Sequence, residues 1–340
     1  MVLAVVMVLS GLVAACTDEV DESPETIAEP PASPESEPTP TLTPSPAPTP
    51  TAEPERLVWV AVEGDDRTVL VDLDAGEIVE DHATPGGPHN VTVAGDGTAA
   101  AALYATTDLA VITGGDVEII TLGDRPHDVK ASDEWFIVAN EAGRRLDYVS
   151  LDGERGPSVP LRAEPHDLAV HPAQEQAWVT MNGSDELAVV DLAAAEVVRY
   201  VATGHAPHDL LFAPDGRLWV TDWTGLLLVL DGDEITHTLK LGVEAHHLAF
   251  TPRGSEAWIT DHGTDELFVL DADTLDVLET IALPGAPHHV AITPDGAFAA
   301  IADHTNGEVL VYDARSRKQV KAIDVGSSPH GVWAVPSSAG

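Results

Sequence analysis

Residues 207–232 read PHDLLFAPDGRLWVTDWTGLLLVLDG, and residues 287–314 read PHHVAITPDGAFAAIADHTNGEVLVYDA. The two stretches share one grammar. A Pro-His pair opens an apolar run, a Pro-Asp-Gly turn (Pro214-Asp215-Gly216 and Pro294-Asp295-Gly296) reverses the chain, and a second run follows, as at 218–221. A third run ends on aspartate, Asp231 or Asp313. Proline presets φ at such a turn and glycine accepts a positive φ, so the pattern predicts hairpins joining short strands. No helical periodicity accompanies it.

Working outward, the opening pair recurs as Pro88-His89, Pro126-His127, Pro165-His166, Pro207-His208, Ala245-His246, Pro287-His288 and Pro329-His330. The histidines are 38, 39, 42, 38, 42 and 42 residues apart. That period fits a four-stranded propeller blade. The closing aspartate recurs at Asp72, Asp191, Asp231, Asp271 and Asp313. Residues 57–82 supply three strands with no innermost strand before them, while residues 330–335 supply an innermost strand with nothing after it. The expectation is therefore an all-β, seven-bladed β-propeller over residues 56–336. Its C-terminal strand completes the N-terminal blade, which removes the open edges of the sheet. Residues 337–340 form a short tail.

The N-terminal part has a different character. Residues 1–15, MVLAVVMVLSGLVAA, form an apolar run too short to span a bilayer comfortably and are read as a signal peptide. Val13-Ala14-Ala15-Cys16 resembles the bacterial lipobox, which implies lipidation of Cys16, the chain's single cysteine. Residues 17–55 hold ten acidic residues, no Lys or Arg, and many Pro, Ser and Thr. Such a segment cannot offset its ordering entropy by apolar burial, so residues 16–55 are expected to be a disordered tether. Lipid, stalk and folded body together predict an extracytoplasmic lipoprotein on the cell membrane.

With 57 Asp and Glu against 16 Lys and Arg, the formal charge is −41. Such a field repels nucleic acid and favours cations. One cysteine excludes an internal disulfide framework and a Cys-rich metal site.

In an up-and-down blade the start of the innermost strand and the end of the second strand share one face. That face should gather the seven opening histidines together with Met181-Asn182, Asp222-Trp223, Asp261-His262 and Asp303-His304. Neutral imidazole is a common ligand of zinc and copper, and a carboxylate such as Asp261 or Asp303 completes a shell or orients a ligand. The candidate ligands are His89, His127, His166, His208, His246, His262, His288, His304 and His330. Zinc takes four ligands, so a subset acts, with His246, His262, His288, His304 and His330 forming the densest arc. The competing reading has each histidine hydrogen-bonding the neighbouring blade. The next residue varies (Asn90, Asp128, Asp167, Asp209, His247, His289, Gly331) while the histidine persists, which favours a ligand role. His82, His171, His205 and His237 fall outside the ring.

The Pro-Asp-Gly turns and Val-Asp strand endings over residues 56–336 resemble the YVTN-repeat, YncE-like propellers, which implies the fold. The multi-histidine face is similar in kind to the propeller of nitrous oxide reductase, where histidines hold a copper cluster, and to periplasmic propeller metallochaperones that hand zinc to an ABC transporter. Pro207-His208 ahead of Leu218-Trp219-Val220-Thr221-Asp222 also resembles the repeats of streptogramin B lyases. That resemblance implies a magnesium-dependent lyase with His288 as general base, Asp303 as the nearby carboxylate and His246 assisting. Three functions thus stand as expectations. They are a tethered, monomeric carrier, sensor or cofactor site for zinc or copper, with a metal transporter or other protein as partner; a lyase; and a platform for proteins or glycans.

Overall fold

A computed structural model describes residues 56–336 apart from residue 205. The signal segment, Cys16, the acidic stalk, His205 and the last four residues lie outside the described residues. The rest forms seven four-stranded antiparallel sheets. The innermost strands are Pro88–Val93, Pro126–Ala131, Glu164–Val170, Pro207–Phe212, Ala245–Phe250, Pro287–Ile292 and Pro329–Ala334. One 3-10 turn, Glu63–Asp65, interrupts the first blade.

Ring closure follows the expected route. The last strand, Pro329–Ala334, pairs antiparallel with the first, Leu57–Val62, placing Trp333 opposite Trp59 and Val332 opposite Val60. Blade 1 therefore consists of this last strand and the first three, and blades 2 to 7 follow in chain order.

Each blade is covered by a neighbour on both faces, so its inner strands read as continuous apolar runs rather than alternating ones. Ala99–Leu103 is buried at every position, whereas the outermost strand Glu77–Ala83 is almost wholly exposed or half-buried. Seven hydrophobic clusters result, one at each blade junction. The cluster between blades 7 and 1, with Val60, Val71, Ala300 and Val311, seals the circle.

A bulge recurs near the start of each innermost strand. Pro207 lies opposite Asp222, yet Leu210 lies opposite Val220, so the inner strand carries one extra residue at His208-Asp209. The same shift occurs in the other six blades. Proline suits the first strand position because it has no N–H to leave unpaired. The bulge re-aims side chains toward the central channel.

Candidate metal centre

The seven opening histidines form a closed circle. Centroid separations between successive imidazoles are 4.6 Å (His89–His127), 3.9 Å (His127–His166), 4.8 Å (His166–His208), 4.2 Å (His208–His246), 5.1 Å (His246–His288), 4.3 Å (His288–His330) and 3.6 Å (His330–His89). The histidines of the early blades are packed as tightly as those of the late ones. The late arc differs by an outer layer. His262 lies 5.2 Å from His246 and 4.6 Å from His288, and His304 lies 4.6 Å from His288. The circle lines a cavity of about 350 Å³ whose rim also carries Tyr104, Glu141, Trp223 and Glu244.

Five of these imidazoles, those of His89, His208, His246, His288 and His330, are held neutral. Burial, reinforced by neighbouring histidines, pushes His208 down to about 3 and His288 to about 2, and drives His246 and His330 well below the ordinary range. His127 shifts the other way: burial opposes its charge, but Asp167 outweighs that and raises it. Neutral rings keep a lone pair available for a cation.

Four rings have an anchored Nδ1. His89 pairs with Glu63 at 2.9 Å, His166 with Asp167 at 3.1 Å, His127 with the His166 carbonyl at 3.0 Å and His208 with the His246 carbonyl at 3.3 Å. For His127 and His208 the interblade bond and the ligand role are compatible. An Nδ1–H donated to a carbonyl leaves Nε2 as the free acceptor, which is how second-shell bonds orient metal-bound histidines. In contrast, Nδ1 of His246, His288 and His330 is buried without a partner among the described residues. An unmet buried polar atom costs about 1–3 kcal/mol.

Three groups bring candidate donor atoms within 4.8 Å of one another around this cavity: His246, His262 and His288; His208, His246 and His247; and His127, His166 and Asp167. Zinc–nitrogen bonds of about 2.0 Å in a tetrahedron place donors roughly 3.3 Å apart, inside the span of these groups. Among the described residues, His89, His304 and His330 join no such group.

Asp261 and Asp303 have other duties. Asp261 accepts the amides of Val243 at 2.8 Å and Glu244 at 3.0 Å with one oxygen and that of Thr264 at 2.9 Å with the other. Asp303 accepts the Asn306 amide at 3.0 Å and its side-chain Nδ2 at 2.8 Å. Both carboxylates fix the turn after the second strand. His82 and His171 lie outside the circle, against Trp59 and Phe212, and His237 is exposed.

In sequence the residue after each histidine is a drifting neighbour. The bulge turns that position into a second tier of the channel. Asn90 donates to Asp128 at 3.0 Å and Asp167 at 3.3 Å, Lys130 pairs with Asp128 at 2.5 Å, and His247 contacts Asp209 at 3.2 Å. His289 stacks on His247 at 3.4 Å. Below this tier a pocket of about 510 Å³ opens at the far ends of the inner strands, with Phe250 and Trp333 on its walls and Lys130, Asp209 and His289 on its polar side. The available signal was the run of Pro-His-Asp in three successive blades.

Solved structures share the architecture at low identity. A functionally unknown protein from Desulfotomaculum acetoxidans is 12% identical with a TM-score of 0.72, over 81% of this chain and 98% of that one. The periplasmic gluconolactonase of Pseudomonas aeruginosa is 17% identical with a TM-score of 0.70, over 83% and 99%. Apo AztD from Citrobacter koseri is 13% identical with a TM-score of 0.65, over 85% and 100%. These likenesses carry the fold alone. No curated protein matches the chain by sequence. The family described as YNCE-like beta-propeller matches residues 126–339, more than half of the 340-residue chain, and the protein belongs to that family.

Proposed function

We propose that this protein is a tethered extracytoplasmic propeller that binds zinc or copper in its histidine circle, as a carrier, sensor or cofactor site. The observation that carries the reading is the set of buried Nδ1 atoms on His246, His288 and His330 without a partner among the described residues, within a closed circle of imidazoles of which burial keeps five neutral. His246, His262 and His288 are the preferred first ligands, because their donor atoms converge and His262 is only half-buried, giving an ion a way in. The anchored rings of His127 and His208 keep their tautomer fixed and hold the rest of the circle in place. Cys16, carrying the lipid, and the acidic stalk would hold the protein at the membrane, where a transporter or another protein receives or supplies the ion.

The lyase reading gains nothing comparable, since Asp303 is committed to Asn306. The test is zinc and copper binding by the untagged chain. At least one tightly held equivalent is expected, lost in the His262→Ala/His288→Ala double variant. Less than about 0.2 equivalents in the wild type after reconstitution would overturn the reading.

A further inference from the structure

The second tier buries three carboxylates, Asp128, Asp167 and Asp209, at 0%, 1% and 7% exposure. Among the described residues, Lys130 pairs with Asp128. Asp167 and Asp209 contact histidines but pair with no lysine or arginine among the described residues.

Geometry adds two independent signs. Asp167, Asp209 and His247 bring donor atoms within 4.8 Å of one another, all from buried side chains. Two polar atoms of the same tier are buried without a partner among the described residues: Oδ1 of Asn90, whose Nδ2 already bonds Asp128 and Asp167, and Nε2 of His289, whose ring stacks on His247. Asn90 and His289 are 1% and 7% exposed.

We infer that the second tier is a separate cation site, in which Asp167, Asp209 and His247 hold one divalent metal ion beneath the histidine circle. Its donor set differs in kind from the circle above. Two carboxylate oxygens and one imidazole suit zinc and also the harder manganese ion, whereas an all-imidazole set favours zinc or copper. Asp167 belongs to both tiers, since it also holds His166 at 3.1 Å, and so connects them. The inner site does not depend on the circle being a metal site.

Equilibrium dialysis of the full chain against zinc, and separately against manganese, tests this. The wild type should hold one more zinc equivalent than the Asp209→Asn variant, and that variant should also lose manganese. The His262→Ala/His288→Ala variant should retain the inner ion. Unchanged stoichiometry in Asp209→Asn for both metals overturns the inference and leaves the reading of the circle standing; the reverse pattern overturns the circle alone. Should Asp209→Asn not fold, anomalous scattering at the zinc edge from wild-type crystals decides. A peak among Asp167, Asp209 and His247 is expected, and density confined to the upper circle overturns the inner site.

Discussion

The Thr221 hydroxyl donates to the His246 carbonyl of the next blade at 2.5 Å while accepting the Asp209 amide of its own blade at 3.1 Å. Thr180 does the same for Asp167 and His208, and Thr260 for His247 and His288. Each threonine satisfies an amide that the bulge removes from the ladder and ties it to the next histidine. The bulge and the blade junction are thus one device.

Replacing Thr221 or Thr260 with valine should therefore cost about 1–3 kcal/mol, because the shape is kept while a buried amide and carbonyl lose their partner. Serine should restore most of the loss. Urea unfolding midpoints of the two series decide the matter, and zinc affinity should fall with valine and recover with serine.

Acid should destabilise the metal-free protein. His208 and His288 are held down to about 3 and about 2, and His289 to about 3, chiefly by burial, against about 6.5 in an unfolded chain. The unfolded chain thus binds more protons as pH falls below about 6.5, and the stability these groups contribute is present above that value and lost progressively toward their folded values. His127, raised by Asp167, works in the opposite sense but is one group among many. Each depressed histidine contributes on the order of 2 kcal/mol of loss by pH 5. Thermal midpoints in chelator should fall by more than about 10 °C between pH 7 and pH 5, and a flat profile would contradict the depressed His208, His288 and His289.

Saturating zinc should raise the thermal midpoint. Binding to the folded state at a hundredfold excess over Kd adds about 2.7 kcal/mol, or roughly 5 °C for a chain of this size. The gain should shrink in His246→Ala and disappear on adding a strong chelator.

Gly331 stands where other blades carry a tier residue. A Cβ there would lie 2.7 Å from the His89 carbonyl oxygen and 2.9 Å from Cα of Asn90, both backbone atoms that cannot step aside. Gly331→Ala should cost about 1–3 kcal/mol by forcing blades 1 and 2 apart, read as a lower urea midpoint with unchanged slope.

Deleting residues 329–340 should open the ring. The strand Leu57–Val62 would expose an apolar edge, and the chain should elute as aggregates in size-exclusion chromatography where the full chain gives one species.

The amino-acid sequence by itself determined the repeat, the blade count, the closing strand and the positions of the seven opening histidines. Each follows from local chemistry: Pro-Asp-Gly turns, short β-branched runs, and a period that cannot be misread over seven copies. It did not determine where the residues after those histidines point. Strict alternation along a strand would send His208 and Asp209 to opposite faces, and only the extra residue opposite Asp222–Val220 brings both to the channel. Nor could it tell that Asp303 belongs to Asn306 and Asp167 to two histidines, because such choices are made between side chains that meet only when seven sheets close into a circle.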